Sequence, residues 1–252
     1  MTLKFLGTGT STGVPIINCS CPVCKSSDPH DKRTRPSILL EYDGRAVVID
    51  TTPDFRAQAL REGLTRLDAV LFTHSHADHI MGFDDTRVFY FRQKVPLPIY
   101  AEARCMATLR ATFAYIFEGN YPYGGVGKID PHVVEGPFDL WGLGFTPVPV
   151  LHGNLPILGF RFRDTAYVTD VSEIPESSIP LLAGLDILII DALRPKPHPT
   201  HLSLAQALAM VERLKPQRAF FTHIAHELGH EATSSTLPSH VQIAYDGLRL
   251  EF

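Results

Sequence analysis

The stretch "DAVLFTHSHADH", residues 68 to 79, narrows the possibilities for this chain more than any other. An apolar run of strand type empties directly into His74, His76, Asp78 and His79. Three imidazoles and a carboxylate at a strand exit are the residue types that hold divalent metals. Histidines two apart on a loop can converge on one ion, while Asp78 and His79 face elsewhere and can hold a second. The competing reading, a surface loop of solvated histidines, has no reason to concentrate four such groups in six residues.

Composition agrees with a globular protein. The chain has 252 residues, 44% of them hydrophobic and 20% charged, which suits a large core and excludes a disordered or fibrous chain. One domain spanning 1–252 is expected. No apolar run approaches the roughly 18 residues of a membrane span, and the N-terminus lacks a signal peptide's apolar stretch, so a cytoplasmic protein is expected. The net charge is −4, without a run of Lys or Arg, which disfavours extended nucleic-acid binding. Twelve histidines are the unusual count, because histidine is the commonest metal ligand.

The pattern along the chain alternates strands and helices. "SILLEY" and "RAVVID" flank Asp43-Gly44, a hairpin signal. "PDFRAQALREG" reads as a helix between Pro53 and Gly63, "EARCMATLRATFAYIF" as another, and "LSLAQALAMVERLK" as an amphipathic one. "AYVTD", "LDILIID" and "RAFFTHI" read as buried strands, and "VQIAY" with "LRLEF" as a closing hairpin. Strand-rich halves that both carry helices suggest two packed sheets with helices outside.

HxHxDH resembles the hallmark of the metallo-β-lactamase superfamily. The resemblance implies an α/β, four-layer αββα sandwich of two mixed β-sheets with helices outside. It also implies where further ligands lie. His152 follows a strand in "VPVLHGN", Asp170 closes "AYVTD", and His223 closes "RAFFTH". By the resemblance His74, His76 and His152 hold one metal, Asp78, His79 and His223 the other, and Asp170 bridges.

A second constellation, "NCSCPVCKS", brings Cys19, Cys21 and Cys24 together. Close thiols in a reducing compartment favour a metal site over a disulfide framework, but three thiolates lack the fourth ligand of a closed zinc site. "GTGTSTGVP", CxCxxC and a histidine three residues after His223 together resemble the phosphoribosyl 1,2-cyclic phosphate phosphodiesterases of the carbon–phosphorus lyase pathway. That resemblance makes His226 the fourth ligand. It also makes His201, before "LSLAQ", the group that protonates the leaving oxygen, with His198 as its neighbouring competitor; Ser203 reads as the helix cap.

The implied chemistry is hydrolysis of a small, anionic cyclic phosphate, a phosphoribosyl cyclic phosphate or cyclic nucleotide, by metal-bound hydroxide. Asp78 and His201 are the catalytic candidates. Two catalytic divalent ions, Zn or Mn, and one structural Zn are the implied cofactors. Dimers are common in the resembled group, so a homodimer is an allowed state. The segment Asn120 to Gly127 is longer and more aromatic than in that group and is expected near the site mouth, with Tyr121 and Tyr123 stacking on a ligand or packing as a surface loop.

Three other readings fit the sequence less well. A transfer-RNA 3′-processing nuclease shares HxHxDH but needs a basic RNA-gripping arm, which this sequence lacks. A thioesterase of the same superfamily has no use for CxCxxC. His226-Glu227-Leu228-Gly229-His230 fits the HExxH of zinc peptidases, which must lie on a helix, yet it follows a strand and contains Gly229. His230 then reads as a solvated side chain. "GTGTSTG" is not a dinucleotide fingerprint, since no helix signal follows and Pro15 interrupts.

Overall fold

A computed structural model describes residues 1–118 and 124–252, so the first half of the Asn120–Gly127 segment, with Tyr121 and Tyr123, lies outside the described residues. The chain divides into two compact units. One comprises residues 1–7, 35–135 and 247–252, the other 8–34 and 136–246. Each contains one mixed sheet, and strands are numbered β1 to β14 along the chain.

The first unit's sheet holds β1 (Thr2–Gly7), β2 (Ser37–Tyr42), β3 (Arg45–Ile49), β4 (Ala69–Leu71), β5 (Leu97–Ala101), β6 (Ile129–Val133) and β14 (Arg249–Glu251), in the order β14-β1-β2-β3-β4-β5-β6. The β2–β3 hairpin turns where expected, with Asp43 and Gly44 at φ 47° and 72°, the positive angles a tight two-residue turn requires. From β3 onward the pairing is parallel, so helices must carry the chain back between strands. These include α2 (Phe55–Arg61), α4 (Arg87–Gln93) and α5 (Ala103–Thr112), beside one-turn α1 (Pro22–Lys25, of the second unit), α3 (Ala77–Ile80) and α6 (Ala114–Phe117). Phe55, Phe89, Met106 and Leu109 from these helices pack on Leu39, Val48, Val70 and Ile99 of the strands. The single helix expected over 102–117 is broken at Phe113, whose φ of −116° and ψ of 39° leave the helical region.

The second unit's sheet runs β13-β12-β11-β10-β9-β8-β7. Its strands are β7 (Phe138–Leu140), β8 (Leu143–His152), β9 (Leu155–Phe162), β10 (Thr165–Val168), β11 (Ile187–Asp191), β12 (Arg218–Thr222) and β13 (Val241–Ile243). β10 to β13 are parallel. Helix α7 (Leu204–Leu214) presents Ala207, Val211 and Leu214 to Val168, Leu188, Ile190 and Phe221. Its apolar residues recur at helical spacing, and a capping box between Ser203 and Gln206 satisfies its first turn. The remaining helix is α8 (His230–Ser234). The closing hairpin is not formed: β13 adds parallel to β12, whereas β14 pairs with β1, because each finds an unpaired sheet edge.

The parallel strands of both sheets are apolar along their length and carry their polar residues just past the carboxyl ends, where open α/β sheets bind ligands. Asp50 follows β3 and His74 lies beyond β4, while Asp170 follows β10, Asp191 ends β11, and His223 follows β12. Asp50, Asp170 and His223 have φ of 67°, 57° and 58°. That left-handed conformation costs a non-glycine residue about 1–2 kcal/mol and persists only where the surroundings impose it. Among the described residues no helix is long and apolar enough to cross a membrane.

Candidate metal centres

In the first unit the HxHxDH residues surround Asp50. Asp50 is fully buried; its carboxylate accepts from Thr73 N (2.8 Å) and Thr73 Oγ1 (2.7 Å) and lies 2.7 Å from His79 Nδ1. Burial pushes the Asp50 carboxyl up and the His79 ring draws it back down. Since Thr73 gives its hydroxyl proton to Asp50, its oxygen accepts from His74 Nδ1 at 3.0 Å. In both rings the Nδ1 proton is thereby committed to the protein, which assigns the lone pair to Nε2, the atom a metal needs.

The rings of His74 and His79 stand 4.1 Å apart, those of His74 and His76 4.6 Å apart, and Asp78 Oδ2 lies 3.4 Å from His79 Nε2. His76 caps the single turn α3, which carries Asp78 and His79. Gly82 anchors the end of this loop: a Cβ there would stand 2.0 Å from Thr52 O, so only glycine permits the approach to the turn that bears Asp50.

In the second unit, Nδ1 of His152 donates to Thr200 O at 2.8 Å, again leaving Nε2 as the lone-pair atom. Burial holds the His152 ring below the ordinary histidine range, favouring the neutral form that binds metal. Asp170 accepts from Thr169 Oγ1 at 2.7 Å and its Oδ1 lies 3.0 Å from His223 Nε2. His201 stacks on His223 with centroids 4.5 Å apart and faces His152 at 4.7 Å. Ligand atoms of His152, Asp170 and His201 lie within 4.8 Å of one another, as do those of Asp191, His201 and His223. His198 instead turns toward its own loop, accepting from Thr200 N at 3.3 Å.

The thiol cluster forms inside the second unit as a complete set. Cys19 Sγ and Cys21 Sγ each stand 3.3 Å from His226 Nδ1, Cys24 Sγ stands 3.6 Å from it, and all four ligand atoms lie within 4.8 Å of one another. Cys21 caps α1, and the backbone N–H of Cys24 points at its sulfur, drawing the thiol down to about 7. Burial pushes Cys24 up to about 11. Three sulfurs and one imidazole nitrogen in this proximity fit a tetrahedral zinc site, with no position left for substrate. Cys105 is buried alone, and none of the four cysteines is in a disulfide.

The peptidase pattern is corrected by this geometry. His226 belongs to the thiol cluster, Gly229 sits before α8, and the helix begins only at His230, so the two histidines share no helical face. His230 is not simply solvated either: it stands 3.3 Å from Arg33 Nη2 and packs its ring on His30 and Tyr245. Asp50 and Asp191 escaped the sequence reading. Each is an acid closing a run of buried aliphatic residues, "AVVID" and "ILIID", and that placement was the available signal.

A family model described as beta-lactamase superfamily domain matches residues 45–224. The chain is similar to an octanoyltransferase of Porphyromonas gingivalis, 39% identical over 248 residues. That match covers 97% of this chain and 50% of the relative, so the chain spans half of that protein's length. Among solved structures, a diphosphatase from the PhnP family matches with a TM-score of 0.94 at 49% identity, covering 100% of this chain and 97% of that one. Zinc-bound PqqB from Methylobacterium extorquens matches with a TM-score of 0.83 at 20% identity over 100% of each chain, a likeness of fold.

Proposed function

The chain belongs to the beta-lactamase superfamily, with that family's α/β fold of two mixed sheets flanked by helices, and on this premise we propose that it is a metal-dependent hydrolase of small phosphate esters. In this reading 1–252 is a single hydrolase domain. By the family resemblance, His74, His76, Asp78 and His79 in the first unit and His152, Asp170 and His223 in the second would supply the donors for the catalytic divalent ions. Divalent ions held there would supply Lewis acidity, lowering the pKa of a bound water and offsetting charge on the phosphoryl oxygens.

The observation that carries the reading is the tautomer pattern. His74, His79 and His152 each commit Nδ1 to a protein acceptor, the arrangement that aims Nε2 at a metal. The donors are imidazole and carboxylate, which suit zinc or manganese, whereas the Cys19, Cys21, Cys24 and His226 set suits a structural zinc. His201, whose Nδ1 lies 3.0 Å from Asp191 Oδ2, would serve as the proton donor to the departing oxygen.

The substrate we propose is a small cyclic phosphodiester of a ribose or nucleotide. A second reading, cleavage of a phosphoanhydride, is favoured by the diphosphatase at 49% identity. Both reactions place attack at phosphorus and differ in the leaving group, an alkoxide in one and a phosphate in the other. Metal-loaded protein offered bis(p-nitrophenyl) phosphate, a 2′,3′-cyclic nucleotide, a dinucleoside diphosphate and a thioester separates the classes. Turnover of the first two supports the diesterase, and turnover of the diphosphate alone supports the second reading. Hydrolysis of the thioester alone defeats both.

A further inference from the structure

A groove beside the last strand of the second sheet belongs to no metal cluster. β13 is the end strand of that sheet, with β12 as its one neighbour. His240 O accepts from Ala219 N at 2.8 Å and Ala244 N donates to Phe221 O at 2.9 Å; in a parallel pair, alternate residues bond to the neighbour. Val241 and Ile243 therefore turn their main-chain groups outward, and of these Val241 N donates to Pro238 O at 2.9 Å. The open edge keeps a row of acceptor, donor and acceptor: Val241 C=O, Ile243 N–H and Ile243 C=O.

A cavity of about 290 Å³ lies against this row. It touches Val241, Gln242 and Ile243 in succession, whereas a cavity over one face of the strand would meet alternate residues only. His230 and Tyr245 contribute rings with centroids 5.6 Å apart, and Leu237 and Pro238 add apolar cover. His230 is firmly held: its N donates to Asp31 Oδ1 at 2.8 Å, and Arg33 Nη2 lies 3.3 Å from its Nδ1. A guanidinium only donates, so Nδ1 accepts and the neutral ring carries its proton on Nε2. Among the described lining residues there is no Lys, Arg, Asp or Glu, so an ionic ligand would enter without a counter-charge.

We propose that this groove binds an uncharged, amino-substituted nitrogen heterocycle of the adenosine type, its ring nitrogen accepting from Ile243 N–H and its amino group donating to a carbonyl of the same edge. The volume is at the lower end of the roughly 300–1,000 Å³ of small-molecule sites, which is room for one or two rings. A peptide adding to the sheet gains affinity from repeated main-chain pairing, and a three-residue strand with one outward N–H free offers a single repeat. A flat ring with adjacent donor and acceptor uses that single repeat fully. None of these residues is a proposed metal ligand or proton donor, so the site stands apart from the proposed reaction.

Adenosine titrated into the zinc-loaded protein tests this by amide NMR. The Ile243 amide is expected to move downfield, with the signals of His230 and Tyr245 shifting alongside it. Calorimetry should give a Kd of about 1 mM or below. 1-Deazaadenosine lacks the ring acceptor and N6,N6-dimethyladenosine lacks the amino donor; each should bind about tenfold more weakly. Tyr245→Ala should weaken adenosine binding by about tenfold, and His74→Ala should leave it unchanged.

Equal affinity for the three nucleosides, or no binding of adenosine, would overturn the proposal. So would shifts gathered around His74 and His152 that vanish in His74→Ala, since the nucleoside would then sit at the metal centre. An Ile243 amide protected by a short extended peptide but unmoved by adenosine would make the edge a strand-addition site and equally defeat it. Should Tyr245→Ala fail to fold, the three nucleosides on the parent protein decide.

Discussion

The thiol cluster and the histidine–carboxylate clusters are both sets of metal-ligand types, yet they are built for opposite ends. Cys19, Cys21, Cys24 and His226 would fill a tetrahedral zinc's coordination sphere with four protein atoms and bring residues 19–24 beside a loop two hundred residues on. Nothing is left for chemistry, so the stabilisation goes into the fold. His74, His79, His152 and His201 have a supporting partner behind Nδ1, Thr73, Asp50, Thr200 and Asp191 in turn, and none of the histidine–carboxylate donors is a thiolate. Harder ligands in an oriented frame leave room for water and substrate. Closure separates a structural site from a reactive one, and ligand type follows from it.

The widest separation of the two is expected from deleting one ligand in each. His74→Ala should lower kcat/KM on bis(p-nitrophenyl) phosphate by about 10³-fold or more, the equivalent of roughly 4 kcal/mol of lost charge stabilisation. Its thermal midpoint should stay close to the parent's. Cys21→Ser should do the reverse, with a stability loss of about 3 kcal/mol and a midpoint lower by roughly 6–12 °C. Activity per remaining folded molecule should be little changed, and elemental analysis should find one zinc fewer. A Cys21→Ser protein of parental stability would remove the contrast.

The supporting partners offer a smaller effect. Asp50→Asn should weaken catalytic metal binding by about 10–100-fold, read by competition with a chelating dye, without touching the zinc of the thiol cluster. Smaller again is a pH signature of the thiols themselves. The Cys24 N–H holds Cys21 down to about 7, below its ordinary 9.0, so its anion is present above that pH and is lost as pH falls through it. In folded, zinc-stripped protein, alkylation of Cys21 should rise through about pH 7, and in urea it should move back toward 9.0, as mass spectrometry of the labelled peptide can show. Cys24, raised to about 11, should stay unreactive in that range. The smallest effect belongs to Glu227→Gln, which should alter turnover by no more than about twofold, because a peptidase's general base would need the helical HExxH that is absent here.

How much was legible depends on how far each feature spreads along the chain. HxHxDH and CxCxxC were readable because contiguous residues must be spatial neighbours, whatever the fold. The Asp43-Gly44 hairpin and the Ser203 cap were readable for the same local reason. His152, Asp170 and His223 could be named only through the family resemblance, since a lone histidine or aspartate at a strand end is ordinary. Asp50 and Asp191 passed unnoticed because a buried acid is recognisable only once its donors are known, and those come from residues 73 and 79 in one case and 201 and 202 in the other. The strands β13 and β14 misled because adjacency in sequence imitates a hairpin until sheet edges compete for them.

From sequence alone came the residue types of the metal chemistry, the alternation of strands and helices, and the local turns and caps, all governed by interactions over a few residues. Tertiary structure alone decided which nitrogen of each imidazole faces the protein, which acid stands behind it, and that His226 joins the cysteines while His230 joins Arg33. Those outcomes depend on hydrogen bonds and burial between segments far apart in the chain, where a proton's position is set by the partner that arrives and not by the residue's own neighbours.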